Sequence, residues 1–171
     1  MGVAHRLGNY DYLSKRMSAR TIQNRFEDDY RLIGIATTLK EYRLAYLLNE
    51  LLGCDFRKIK DIIFESAARE RNVFFSVMKA EGNYGKTIYV FFANKNGTDV
   101  LLPEAGTFDY LLKLQGECSD EHIHAVCTQV QQWEEVVMCC EIPLERVKNK
   151  ERLIYEEELK SVRPIFKRNF R

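Results

Sequence analysis

Two amphipathic helical segments bracket most of this chain, and what lies between and beside them constrains the fold more than any other feature. "LKEYRLAYLLNELLG" (39–53) puts Leu44, Leu47, Leu48, Leu51 and Leu52 on one stripe, with Gly53 as a C-terminal stop. "SDEHIHAVCTQVQQW" (119–133) places Ile123, Val126, Cys127 and Val130 at i, i+3, i+4 and i+7. Ser119 is a good N-cap there, and Asp120 and Glu121 suit the positive end of the helix dipole. Strand-like runs flank both helices. "RLIGIAT" (31–37) is rich in branched residues and stops at Thr37-Thr38, either of which is expected to cap the first helix. "EEVVMCCEI" (134–142) follows the second helix and is ended by Pro143.

Between the helices the apolar runs are short. Residues 54–71, with "FRKIKDIIFE", read as an extended edge or a loop. "VFFSVMKAE" (73–81), the turn "GNYG" (82–85) and "KTIYVFFANK" (86–95) read as a hairpin. Asn-Gly at 96–97 then leads into "TDVLL", a hairpin signal because both turn residues need positive φ. In "LLPEAGTFDYLLKLQGE" (101–117), Pro103 cannot donate to a ladder and Gly106 eases a reversal, so one strand ends and another begins. A two-residue period would set Phe108, Tyr110, Leu112 and Leu114 on one face of the new strand, with Asp109 and Lys113 on the other. The expected fold is α+β: an antiparallel sheet of about five or six strands with both helices on one face, a ferredoxin-like variant.

The domain core is expected over 30–156. Residues 1–29 form a basic arm with Arg6, Lys15, Arg16 and Arg20, and translation is expected often to start at Met17, making 1–16 an extension. Residues 157–171 form a basic tail. The hydrophobic share of 46% supplies ample core material. With 26 basic against 25 acidic residues, whole-chain charge points to no nucleic acid or membrane. No apolar run suits a membrane span or a signal peptide, so the expected location is cytoplasmic. The cysteines Cys54, Cys118, Cys127, Cys139 and Cys140 lack a CxxC pair and are expected to be reduced, with the neighbours Cys139 and Cys140 on opposite faces of a strand.

Candidate chemistry is thin. Cys118, His122, His124 and Cys127 are metal-ligand types, but two histidines two apart cannot share a helix face, and Cys127 falls on the apolar stripe. Glu104 and Asp109 are a candidate carboxylate pair, expected chiefly to fix the strand junction with Tyr110 by accepting main-chain N–H groups. No GxSxG, Walker or GxGxxG pattern is present, and no cofactor or metal is expected. The tail carries Lys160, Arg163, Lys167, Arg168 and Arg171 interleaved with Phe166 and Phe170, a pattern that suits a phosphate backbone and base stacking, although solvated ends that aid solubility are the favoured reading.

Leu102-Pro103-Glu104, three residues, then Phe108-Asp109-Tyr110 resembles the motif that names a bacterial family of unknown function, the IPExxxVDY family. It departs at Leu102 and Phe108, both conservative apolar exchanges. "LIGIATTLKEYRLAYLLN" (32–49) and "YLLKLQGE" continue the likeness, which covers about residues 26–155. The family has no catalytic residues to carry over. "FDYLLKLQGECSDEHIHAVCTQVQQWEEVVMCCEI" also looks like the closing part of ligand-sensing domains in leucine-responsive-type bacterial regulators, though no helix-turn-helix precedes it. The expected function is a non-enzymatic adaptor or regulatory binding module contacting a protein, RNA or a ribonucleoprotein. The alternatives are a small-molecule-sensing domain and an enzyme using Glu104 and Asp109.

Overall fold

In the computed structural model, residues 30–66, 71–82 and 86–155 are described. The first strand, β1 (Tyr30–Thr37), is almost wholly buried, and it therefore lies inside the sheet rather than at its edge. It is followed by α1 (Glu41–Leu52), β2 (Arg57–Lys58), β3 (Ile62–Ser66), β4 (Arg71–Phe75), β5 (Val77–Glu81) and β6 (Thr87–Ala93). Then come β7 (Lys95–Asn96), β8 (Asp99–Val100), a 3-10 turn at Pro103–Ala105, β9 (Tyr110–Gly116), α2 (Asp120–Gln131) and β10 (Val136–Glu141). Two further 3-10 turns, Leu144–Arg146 and Lys150–Leu153, complete the described chain.

Six strands form one antiparallel sheet in the order β10-β1-β9-β6-β5-β2, while β3–β4 and β7–β8 are separate two-stranded ribbons. Set aside the inserted β2–β5 and β7–β8, and β1-α1-β6-β9-α2-β10 remains. In it β9 lies between β1 and β6, and β1 between β9 and β10. This split β-α-β pairing is the ferredoxin-like arrangement.

Both helices cover the same face. Leu44, Ala45 and Leu48 of α1 and Ile123, Val126 and Val130 of α2 pack with Ile33, Ile35, Phe91, Leu112 and Leu114 of the sheet. Each fully buried leucine contributes about 1.5–3 kcal/mol of transfer free energy. The other face is covered too. Val73 and Phe75 of β4, the 101–108 segment and Ile142, Val147, Leu153 and Tyr155 lie over Leu32, Ala36, Val90, Phe92 and Leu111. Lys113, fully buried on this side, reaches Leu153 O at 3.4 Å and stands over the ring of Tyr30. No helix among the described residues is long and apolar enough to cross a membrane.

Several local features follow the expected chemistry. Gly53 closes α1 in the left-handed region at φ 60° and returns its N–H to Asn49 O. Ser119 caps α2, accepting from His122 N. Gly97 supplies the positive φ in the β7–β8 turn. All five cysteines are free, and Cys139 and Cys140 do point to opposite faces, each joining a different core.

Others differ. Neither threonine caps α1: its N-cap is Lys40, and the Thr37 hydroxyl instead donates to Glu135 O and accepts from Leu39 N. The run 73–81 is not one strand. It breaks at Ser76, whose carbonyl accepts from Ala93 N, so β4 pairs with β3 and only β5 enters the main sheet. Leu101 and Leu102 are fully buried but lie beyond β8, and β8 itself stays outside the main sheet. Phe108 joins the core opposite that of Leu112 and Leu114. The physical reason is that its N–H still closes a turn to Ala105 O, so the alternation starts only at Tyr110. Gly106 has ordinary right-handed helical backbone, and the reversal does not use its freedom.

Candidate functional site

The motif residues meet at the end of the sheet where β1 and β6 finish and β9 begins. Their organiser is Asn94, directly after β6 and fully buried. Its Nδ2 donates to Ala105 O and Phe108 O, both at 2.9 Å, and its Oδ1 accepts from Leu102 N at 2.9 Å. Its main chain adds two bonds, accepting from Leu101 N and donating to Asp109 O. One side chain thus satisfies three buried main-chain groups of the 102–108 turn, which has no ladder of its own.

Asp109 ties this turn to β1: Oδ2 accepts from Thr37 N at 2.9 Å, and Oδ1 accepts from Lys95 Nζ at 2.8 Å. The Tyr110 hydroxyl donates to Leu39 O at 3.0 Å, and its ring stacks on Phe91. Burial, then the Glu41 and Asp109 carboxylates, push the Tyr110 phenol above its ordinary value and keep it a donor. Glu104 looks elsewhere. Its Oε1 accepts from Lys148 N, Asn149 N and Asn149 Nδ2, pinning the C-terminal segment to the turn. The expectation that one carboxylate would take main-chain N–H groups therefore holds for both. They share no hydrogen-bond partner.

Asp109→Ala leaves Thr37 N–H without its acceptor and should cost about 1–3 kcal/mol in urea denaturation. Unchanged stability with loss of a cellular phenotype would instead assign Asp109 to binding or catalysis. For Glu104, burial alone would raise the carboxyl, but hydrogen bonds from its own main chain, from the Asn149 side chain and from the Lys148 and Asn149 main chains hold it below its ordinary value. Its contribution is therefore present above the unfolded-state Glu value of about 4.3 and fades as pH falls through the lower folded value. Glu104→Gln should be the less stable protein at neutral pH. The gap between the two urea midpoints should close at acid pH, and a gap of constant size would deny the carboxylate this role.

Beside the motif lies a polar chain invisible to spacing arguments. The Ser76 hydroxyl accepts from Lys58 Nζ at 2.6 Å and donates to Glu41, and Lys58 also pairs with Asp61. These bonds link the start of α1, β2 and the β4–β5 break. Lys58 serves as a donor to both neighbours, so the Ser76 hydroxyl is held between a cation and a carboxylate as an anchor.

A concave region, of about 760 Å³, runs between α2 and β10. Arg31 lies in it with its guanidinium committed. It bonds Glu141 through Nε and, at 2.9 Å, through Nη2, and Asp120 through Nη1 at 2.7 Å. Those bonds raise its pKa further above its ordinary value. Along the same groove α2 seals the edge of the sheet. Ile142 N donates to Leu32 O, so Cys139 N and Glu141 N point away from β1. Gln131 Oε1 accepts from Cys139 N at 2.7 Å, and its Nε2 donates to Val137 O. One turn earlier on α2, the Cys127 thiol stands beside the Glu141 main-chain N–H. An open strand edge invites pairing with another chain, and these two side chains occupy it.

The residues of metal-ligand type on and before α2 go to different surroundings. His122 approaches the Tyr89 hydroxyl at 3.3 Å, whereas His124 and Cys127 line the α2–β10 groove. Among the described residues no three His, Cys, Asp or Glu side chains converge on a metal position. Lys160, Arg163, Phe166, Lys167, Arg168, Phe170 and Arg171 lie outside the described residues, as does the basic arm. Asn94, Ser76 and Gln131 had no part in the sequence reading. Only Asn94 carried a signal, an Asn ending an apolar strand, and the Asn-Gly turn two residues later masked it.

No protein-family model matches the chain, and neither a curated protein nor a solved structure matches it.

Proposed function

We propose that the protein is a non-enzymatic, cytoplasmic adaptor or regulatory module that binds a macromolecular partner, and that it belongs with the bacterial family its 102–110 motif resembles. The observation that carries the reading is a pair of tyrosines on α1. Tyr42 and Tyr46, one turn apart, are 74% and 55% exposed on a helix whose opposite side is in the core. Tyrosine is enriched at protein interfaces because it combines apolar area with a hydroxyl. The motif supports the reading differently, since its carboxylates and phenol are engaged with main-chain groups. An RNA partner would not stack on the sheet in the manner of RNA-recognition domains, because both faces are covered. RNA contact would fall to Lys160, Arg163, Phe166, Lys167, Arg168, Phe170 and Arg171.

The test is affinity purification of the full chain and of a Tyr42→Ser, Tyr46→Ser variant, each with and without ribonuclease. A protein partner kept by the parent and lost by the variant supports the reading. A partner lost to ribonuclease alone moves the interface to the basic ends. Turnover of a substrate that disappears with Asp109→Ala would replace it with an enzyme. A second reading, a small-molecule sensor, is favoured by the groove against α2. It predicts a metabolite-induced rise in melting temperature that Thr128→Trp, which fills the groove, abolishes.

A further inference from the structure

The α2–β10 groove gathers three of the five thiols, Cys127, Cys139 and Cys140. Cys127 belongs to the helix wall and is half-buried, whereas Cys139 lies beneath it on β10 and is buried. Both side chains pack into the core beneath α2 and line the same groove. Cys140 leaves β10 on the opposite face and packs in the other core, so it is not aimed at Cys127. Cys54 is isolated from all of them near the end of α1, and burial pushes its thiol up to about 11.

We infer that Cys127 and Cys139 form a peroxide-reactive dithiol, with Cys127 as the attacking sulfur and Cys139 as the resolving one. The Cys127 thiolate attacks one oxygen of a hydroperoxide, the O–O bond breaks, and hydroxide (or alkoxide) leaves. Cys127 is now a sulfenic acid. The Cys139 sulfur then attacks the Cys127 sulfur, the S–O bond breaks, and water leaves as the disulfide forms. Two thiols are oxidised and one peroxide is reduced.

The assignment of roles follows from access: Cys127 is half-buried on the groove wall, and Cys139 is buried beneath it. The Cys139 thiol and the Glu141 main-chain N–H beside it outweigh burial and the Glu141 carboxylate and hold the Cys127 thiol below its ordinary value. The Cys127 thiol and burial raise Cys139 above its own. The other charged groups on the groove are paired with one another, Arg31 with Asp120 and Glu141, while His124 stands on α2 one turn before Thr128. Peroxide-sensing cysteines share this pattern: an accessible thiolate beside a second thiol that resolves it. The inference stands independently of the partner on α1.

The experiment treats the purified full chain with hydrogen peroxide and follows intact mass and disulfide-mapped peptides. The expected product is lighter by two hydrogens, has lost two of its five thiols, and joins the peptides of Cys127 and Cys139. Cys139→Ser should stop at a Cys127 sulfenic acid, trapped by dimedone. As a check needing no variant, limited alkylation of the native protein should label Cys127 roughly tenfold faster than Cys54. A bridge to Cys140, dimedone on another cysteine, or Cys127 reacting no faster than Cys54 would each overturn the inference.

Discussion

Replacing Asn94 with alanine should lower stability by about 3–5 kcal/mol. The alanine removes two donors and one acceptor at once. Phe108 O and Leu102 N lose the side-chain partner that holds them, and Ala105 O is left with the Phe108 N–H alone. Each stranded main-chain group costs about 1–3 kcal/mol, reduced where the turn relaxes to admit water. For a domain of this size the expected fall in melting temperature is about 10–15 °C. Asn94→Asp should be no better, because a carboxylate would then face two carbonyl oxygens. Calorimetry of the three proteins decides it. A loss below about 1 kcal/mol for Asn94→Ala would show that the turn is held by its apolar contacts and not by this side chain.

Gly34→Ala should be nearly as damaging, for a steric reason. Gly34 sits in mid-strand between Cys140 and Leu111, with a backbone any residue can adopt. Alanine would ordinarily gain there from the smaller entropy of its unfolded chain. Here, however, an added Cβ would stand 2.5 Å from two ring carbons of Phe108 and 2.7 Å from a third. The ring covers the missing side chain, and it cannot move aside without leaving the core it shares with Leu101, Leu102 and Leu111. Overpacking of this kind costs about 1–3 kcal/mol, and losing part of the Phe108 burial adds to it. The check is a double-mutant cycle. Gly34→Ala should be far cheaper in a Phe108→Ala background, with a coupling energy of about 1–3 kcal/mol. Equal costs in both backgrounds would remove Phe108 as the cause.

These two residues show where sequence reasoning ran out. Periodicity located β1, α1, the β5–β6 hairpin, β9, α2 and β10, because each buries a stripe or an alternating face over several residues. The glycine of α1's C-cap and the serine of α2's N-cap were readable because both act within one turn of their own position. What escaped were partnerships across distant sequence. Thr37 looked like a cap, yet its hydroxyl is taken by Glu135, a residue near the other end of the domain. Phe108 looked like part of a strand, yet it sits in a turn that Asn94 holds. Ser76 looked like one more residue of a strand, yet it marks the passage between two sheets. The candidate site was legible only in part for the same reason. The motif announced Glu104, Asp109 and Tyr110, while the side chains that fix or neighbour them, Asn94, Glu41 and Asn149, come from other segments.

The order in which the chain is made gives the pairing of β1 a further consequence. Ile33 is paired with Leu112 on one side and with Glu141 on the other. β1, one place in from the sheet edge, is therefore the earliest of the described strands to leave the ribosome, and both of its neighbours are among the last. At about 5–20 residues per second, "LIGIA" waits roughly 5–20 s as an unpaired apolar segment while the residues up to β10 are synthesised. α1 can form behind it and shield one face, but its two edges stay open until β9 and β10 arrive. Newly made chains should thus depend on chaperones that hold extended apolar segments, and slower synthesis at low temperature should raise the folded yield less than added chaperone does.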